Sequence, residues 1–274
     1  MKYIFLLLIS VSSLVFSHNK PQRLIPGDTI LFVAPSGYLK HDRMDLAKKR
    51  LEDRGYVTLQ ANDIFRQHGY LGGTDERRVQ EFMAGWKDPK IKAIFPGTGG
   101  YGTTRILDQL DYDIIKNNPK ILIGFSDITG LHLAINKMTD MVTFHTPSPM
   151  YGLGSKGNLP PISDQYFWQA IENENPNGYI IDPSKFKLSE SMITFHGGKG
   201  KGELIGGNLS LINTLMGTPY EIDTDGKILF MEDVGEAPYR IDRYLSQLKL
   251  AGKFDHVTGI ILGKFTRRAT EPPD

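Results

Sequence analysis

Apolar residues along this chain alternate between two spacings. Asp28 to Ala34 carries the unbroken run Ile30-Leu-Phe-Val-Ala34 and stops at Pro35-Ser36-Gly37, which predicts a buried strand and a turn. Met44 to Arg54 places Met44, Leu46, Ala47 and Leu51 at helical spacing, and Gly55 ends it. Val57 to Ala61 reads as a second strand. Thr74 then opens a helix to about Trp86, with Asp75 and Glu76 suited to the positive end of its dipole. Ile91 to Phe95 predicts a third strand, and Thr103 to Leu110 a helix after a glycine-rich turn. The strand Lys120 to Ile123 leads through Gly124 into the helical pattern Ile128 to Met138, and Met141 to Phe144 predicts one more strand. Strands alternating with helices predict a parallel sheet covered on both faces.

From Pro147 to Pro183 this rhythm is lost in a stretch crowded with proline and glycine, which encloses a helix at Ser163 to Glu172. Beyond it come a strand at Met192 to Phe195, a helix at Leu209 to Met216, a strand at Lys227 to Met231, a helix at Tyr239 to Ala251 and a strand at Val257 to Leu262. The expected organisation is a nucleophile-bearing first domain over 24–150, a connection over 151–185 and a smaller second domain over 186–274.

Composition narrows the class. The chain has 274 residues, 29 glycines and a net charge of +1, with no Lys/Arg run, so a nucleic-acid surface is not expected. It has no cysteine, which removes disulfides, thiol nucleophiles and thiolate metal sites. Lys2 followed by the apolar run Tyr3 to Phe16 reads as a secretory signal peptide over 1–17, cut near Ser17. That run is short against the ~20 residues of a membrane span. A periplasmic or secreted protein with no stable span after cleavage is expected.

Three places could carry chemistry. Gly124-Phe-Ser126-Asp127 joins a strand to a helix and exposes a serine at the carboxyl end of the sheet. A helix cap by Ser126 or Asp127 is the plainer reading, and the local pattern alone favours it. Gly97-Thr-Gly99-Gly100-Tyr101-Gly102 could cradle phosphate, donate N–H groups to an oxyanion, or simply turn. Met231-Glu232-Asp233 ends an apolar strand in two carboxylates, either a solvated strand end or the acid of a triad. Of seven histidines only His145 falls at the same rim, with a structural hydrogen bond as its ordinary role. His132 should point from the Ser126 helix into packing. No His-x-x-x-His or comparable metal-ligand spacing occurs.

Taken in order, these stretches resemble the LD-carboxypeptidases, a serine peptidase family that includes muramoyl-tetrapeptide carboxypeptidases and microcin-immunity peptidases. The matching residues are Val33-Ala-Pro-Ser36, Gly72-Gly-Thr-Asp-Glu-Arg77, Gly99-Gly-Tyr-Gly102, Gly124-Phe-Ser-Asp-Ile-Thr129, His145, Leu204-Ile-Gly-Gly-Asn208, Gly217-Thr-Pro219 and Leu229-Phe-Met-Glu-Asp233 with Tyr239-Arg-Ile-Asp-Arg243. The resemblance implies a flavodoxin-like or glutamine-amidotransferase-like first domain and a smaller β/α second domain. It implies a Ser–Glu–His triad with Ser126 as nucleophile and Glu232 as acid, and backbone N–H groups of Gly100 and Asp127 as the oxyanion hole. Gly99, Tyr101, His145 and Asn208 are the substrate-binding candidates. The substrate would be a peptidoglycan tetrapeptide losing its terminal D-alanine, with no cofactor or metal required and a homodimer as an option.

Two departures stand out. Thr98 occupies a position where relatives commonly carry arginine. The family's catalytic histidine follows the Glu232 motif in a Gly-His context, whereas this chain stops at Asp274 soon after the strand that begins at Val257. A C-terminally truncated member lacking its base is therefore expected, with an inactive peptidoglycan-peptide binder as the alternative.

Overall fold

The computed structural model describes residues 19–157, 159–173 and 193–266. Five strands form the first sheet: β1 (Thr29–Val33), β2 (Val57–Leu59), β3 (Ile91–Pro96), β4 (Ile121–Gly124) and β5 (Phe144–His145). All pairings are parallel, and the order is β2-β1-β3-β4-β5, the flavodoxin-like arrangement. Between them run α1 (His41–Asp53), α2 (Asp75–Lys87), α3 (Tyr112–Asn117) and α4 (Thr129–Thr139), followed by α5 (Pro161–Glu172). A second sheet of β6 (Leu204–Asn208), β7 (Ile228–Val234) and β8 (Gly259–Thr266) is also parallel, crossed by α6 (Leu209–Thr214) and α7 (Pro238–Leu250).

The two faces of the first sheet explain its nearly continuous apolar strands. One face buries Ile30, Phe32, Phe95 and Ile123 against Met44 and Leu51 of α1 and Phe167 and Ile171 of α5. The other buries Val33, Ile94 and Leu122 against Phe82, Trp86, Leu131 and Ile135. That second core does not stop at the first sheet. It runs on through Leu209, Ile212, Leu229, Met231 and Leu248, so α4 is buried over most of its length, Thr129 to Ile135, because it lies between the sheets.

Close approach at this junction depends on Gly207. Its φ is +139°, and a side chain there would meet Thr129 Cγ2 and Oγ1 at 2.7 Å. The neighbouring Asn208 N–H donates to Thr129 Oγ1 at 3.1 Å. The end of β6 is thereby pinned to the first turn of α4.

Several expectations are corrected. The helix predicted over Thr103 to Leu110 is two 3-10 turns, Thr103–Arg105 and Leu107–Gln109. Thr103 gives its N–H and hydroxyl to Asp127, and Arg105 is drawn to Asp75, so tertiary bonds replace a continuous helical ladder. The last strand of the first sheet is Phe144–His145 rather than Met141 to Phe144, because Met141 pairs only with Asn19 in an isolated bridge. No strand forms over 193–195, where Ile193 and Phe195 are exposed. Met192, the signal-peptide stretch and, of the expected connection, 158 and 174–185 lie outside the described residues. Among the described residues no helix is long and apolar enough to cross a membrane.

Candidate active site

Strand β4 is buried throughout and reaches Gly124, whose φ of +143° and lack of a side chain let Ile128 pack against it; a Cβ there would lie 2.7 Å from Ile128 Cγ2. The chain then turns through Ser126, which adopts φ +60°, a left-handed conformation rare outside glycine. A 3-10 turn over Ser126–Ile128 leads directly into α4. No side-chain cap bond forms at either helix start, so Ser126 and Asp127 do not cap. Strain of this kind costs on the order of 1–3 kcal/mol and persists only where surrounding structure imposes it.

The surroundings here are the Gly97–Gly102 loop after β3. A side chain added to Gly99 would sit 3.0 Å from Ser126 Cβ, 3.2 Å from its Oγ and 3.3 Å from Asp127 N. Only glycine leaves the space beside the hydroxyl open. Gly100 follows with φ +112°. Asp127 N–H lies at the first turn of the 3-10 segment, where backbone donors lack intrahelical partners. Tyr101 is half exposed and meets Tyr70 edge-on, ring centroids 5.6 Å apart.

Glu232 belongs to β7 of the second sheet. In the parallel register it pairs with Asn208, the residue bonded to Thr129 three positions beyond Ser126. Asn208 is buried and caps α6: its Oδ1 accepts from Ser210 Oγ and Leu211 N–H, and its amide donates to Asp233 Oδ1 at 2.9 Å. Asp233 also accepts from the N–H groups of Ser210 and Val234, which makes it an anchor for the strand end. The two adjacent carboxylates thus differ sharply. Asp233 is satisfied, while Glu232 Oε1 is buried with no hydrogen-bond partner.

Burial, reinforced by the charge of Asp233 and opposed by a hydrogen bond from Asn208, pushes the Glu232 carboxyl up to about 7. Its folded pKa therefore exceeds its unfolded one. The stabilising contribution is complete below the unfolded value of about 4.3 and is lost as pH rises to about 7. Buried His132 and His145, pushed down to about 3 and about 4 chiefly by burial, have the opposite sign. Their contribution is present above about pH 6.5 and lost as pH falls. Thermal melts of the protein and of Glu232→Gln should consequently converge in acid and diverge above pH 5, with the wild type losing Tm relative to the variant up to pH 8. Parallel melting curves across that range would contradict the shift.

The histidines are placed elsewhere. His132 Nε2 hydrogen-bonds to Gly124 O at 3.0 Å, inside the packing of α4. His145, paired with Gly124 across β4–β5, sets its ring edge-on to Phe230 at 5.0 Å. Both line a cavity of about 880 Å³ between β5 and β6, with Asn136, Ile205 and Phe230, which does not include Ser126. Among the described residues no histidine is hydrogen-bonded to Ser126. The structure thus brings Gly99 against Ser126 and ties Asn208 to Glu232 in register. It places His145 in the neighbouring cavity and Tyr101 on the outer rim.

Ser36, Thr103, Thr129 and Asp233 support this arrangement; the sequence marks Asp233 only as a strand-end acid, Ser36 and Thr129 only as members of longer motifs, and gives Thr103 no role. Their signal was slight: small polar residues directly after strands, at the carboxyl ends where such sheets build sites.

Comparison with known proteins follows the same division. The family model described as the LD-carboxypeptidase N-terminal domain matches residues 30–146, and that of the LD-carboxypeptidase C-terminal domain matches 201–274. A probable murein peptide carboxypeptidase of Bacillus subtilis is 40% identical over 252 residues, 92% of this chain and 76% of the relative. A muramoyltetrapeptide carboxypeptidase structure from Oxalobacter formigenes superposes with a TM-score of 0.70 at 27% identity, covering 88% of this chain and 78% of that one. The microcin C7 self-immunity protein MccF in complex with aspartyl sulfamoyl adenosine gives a TM-score of 0.79 at 28% identity, covering 93% and 83%.

Proposed function

The chain belongs to the LD-carboxypeptidase family, and from that premise we propose that it is a serine peptidase releasing the terminal D-alanine of murein tetrapeptides. The observation that carries this reading is Ser126, held at φ +60° on a strand-to-helix turn with Gly99 against its hydroxyl. In the proposed reaction Ser126 Oγ attacks the carbonyl carbon of the scissile bond and its proton passes to a histidine base. Backbone N–H groups of Gly100 and Asp127 take the developing oxyanion charge. Collapse of the tetrahedral intermediate expels the D-alanine amine, which receives the proton, and water then hydrolyses the acyl-enzyme.

Glu232 orients the base in this scheme. A buried carboxylate oxygen without a donor costs roughly 1–3 kcal/mol, and an imidazole N–H is the donor that would satisfy Oε1. Imidazolium formation would also hold the Glu232 proton off. The family pattern puts this histidine after the Glu232 strand. Replacing that histidine is expected to leave tetrapeptide binding largely intact and to slow turnover by several orders of magnitude. The apolar leader before His18 supports action outside the cytoplasm, on the wall or its fragments.

A direct test offers a form carrying the histidine two substrates: a murein tetrapeptide and an aspartyl sulfamoyl nucleotide, the ligand class of the MccF complex. Faster D-alanine release from the tetrapeptide is the expected result. Preference for the nucleotide conjugate would move the protein to the microcin-immunity side of the family.

A further inference from the structure

Ser36 lies in the turn after β1, 90 residues before the nucleophile in sequence, and is completely buried. Its Oγ donates to Asp127 Oδ2 at 2.6 Å. The same carboxylate oxygen accepts the Thr103 N–H at 3.0 Å, and Thr103 Oγ1 donates to the Asp127 carbonyl at 2.7 Å. One residue further along the turn, Gly37 N–H donates to Gly99 O at 3.1 Å, where a Gly37 side chain would lie only 2.9 Å from that oxygen. A two-residue turn therefore grips both backbone segments that flank Ser126.

The turn has its own, separate supports. Gly72 N–H donates to Ser36 O at 2.8 Å. The buried Arg78 guanidinium donates to Pro35 O and to Gly102 O, and is held in turn by Asp75 at 2.6 Å. None of these bonds uses the Ser36 hydroxyl. That hydroxyl donates to Asp127, so the turn can keep its shape when the hydroxyl is removed while the Asp127 carboxylate loses one of its two donors and keeps the Thr103 N–H.

We propose that Ser36 is a positioning residue for the oxyanion hole: its hydroxyl, through the Asp127 carboxylate, sets the direction of the Asp127 peptide N–H, while Gly37 fixes the facing Gly99–Gly100 segment. The proposal rests on the reading of Ser126 as nucleophile and of Asp127 N–H as an oxyanion donor. Donors to an oxyanion work by being aimed before the charge develops. A carboxylate fixed by two donors through one oxygen leaves its own backbone little rotational freedom. Because the substrate carbonyl is contacted most strongly in the transition state, loosening Asp127 should lower kcat and leave substrate affinity nearly unchanged.

The test compares Ser36→Ala and Ser36→Cys with the parent in the form that carries the catalytic histidine. Loss of one whole oxyanion donor costs about a hundred- to a thousandfold in kcat; a donor that is misaimed rather than removed should cost about ten- to a hundredfold, with KM changed less than about threefold. Ser36→Cys, close in shape and a poorer donor, should fall between parent and Ser36→Ala. A peptide boronate ending at the residue that precedes the terminal D-alanine, which places an oxygen in the oxyanion position when bonded to Ser126, should lose affinity in proportion to kcat/KM. Parent-like kcat in both variants overturns the proposal, as does lowered kcat with unaltered boronate affinity. If Ser36→Ala does not fold, Ser36→Cys carries both readings. An active Ser126→Ala would instead bring down the nucleophile assignment, whatever the Ser36 variants do.

Discussion

Ser126→Ala is expected to lower D-alanine release by about a thousand- to ten-thousandfold or more, with the fold and tetrapeptide affinity retained. The argument starts at the backbone. A serine at φ +60° without a cap bond gains nothing local from its side chain, and its hydroxyl points at a space kept open by Gly99. Alanine accepts that backbone no better than serine, so stability should change little while the attacking oxygen disappears. The measurement is single-turnover D-alanine release beside a urea melt of both proteins. Equal rates would remove Ser126 from the chemistry, and a collapsed melt would mean that the hydroxyl serves the fold. Residual activity should remain, because binding and the oxyanion donors act without the nucleophile.

Glu232→Gln should have the next largest effect, again about a thousand- to ten-thousandfold in kcat. The amide keeps the shape but not the charge, so it would hold the imidazole in the wrong tautomer and fail to stabilise imidazolium. The stability effect runs the other way. Glu232 is substantially buried, lacks a partner on Oε1 and faces the charge of Asp233, which together raise its pKa to about 7. Removing that charge should leave Tm at pH 8 unchanged or higher while activity collapses. A loss of activity that simply tracked a loss of Tm would make Glu232 a packing residue. Asp233 provides the contrast: its carboxylate is bonded to Asn208, Ser210 and Val234. Truncating it should unfasten the β6–β7 strand ends and cost stability first.

Much of the fold was legible because parallel strands buried on both faces must be apolar almost throughout. Ile30 to Val33, Ile91 to Phe95 and Ile121 to Ile123 announce themselves in any reading. The errors fall where tertiary bonds outweigh local pattern. Thr103 to Leu110 has helical spacing, yet Asp127 claims the Thr103 N–H and hydroxyl and Asp75 claims Arg105. Met141 looks like a strand start but spends its pairing on Asn19. The order of motifs from Val33 to Arg243 carried the family resemblance, and several of their residues, Gly124, Gly207 and Glu232 among them, lie at or near strand ends.

The sequence by itself determined the α/β class, the family and the identity of the small residues at the strand ends. Those follow from local spacing and from side chains that only certain turns accept. Tertiary structure alone decided that Ser126 is no cap, since φ +60° depends on the Gly99 loop packed across it. It also decided which of two adjacent carboxylates is spare. Glu232 and Asp233 look alike in the sequence, but successive residues of a strand face opposite sides: Asp233 collects donors from Asn208, Ser210 and Val234, while Glu232 Oε1 is left with none. The grip of Ser36 on Asp127 likewise spans 91 positions, a distance over which no local pattern can speak and which the β1 and β4 strand ends close to 2.6 Å.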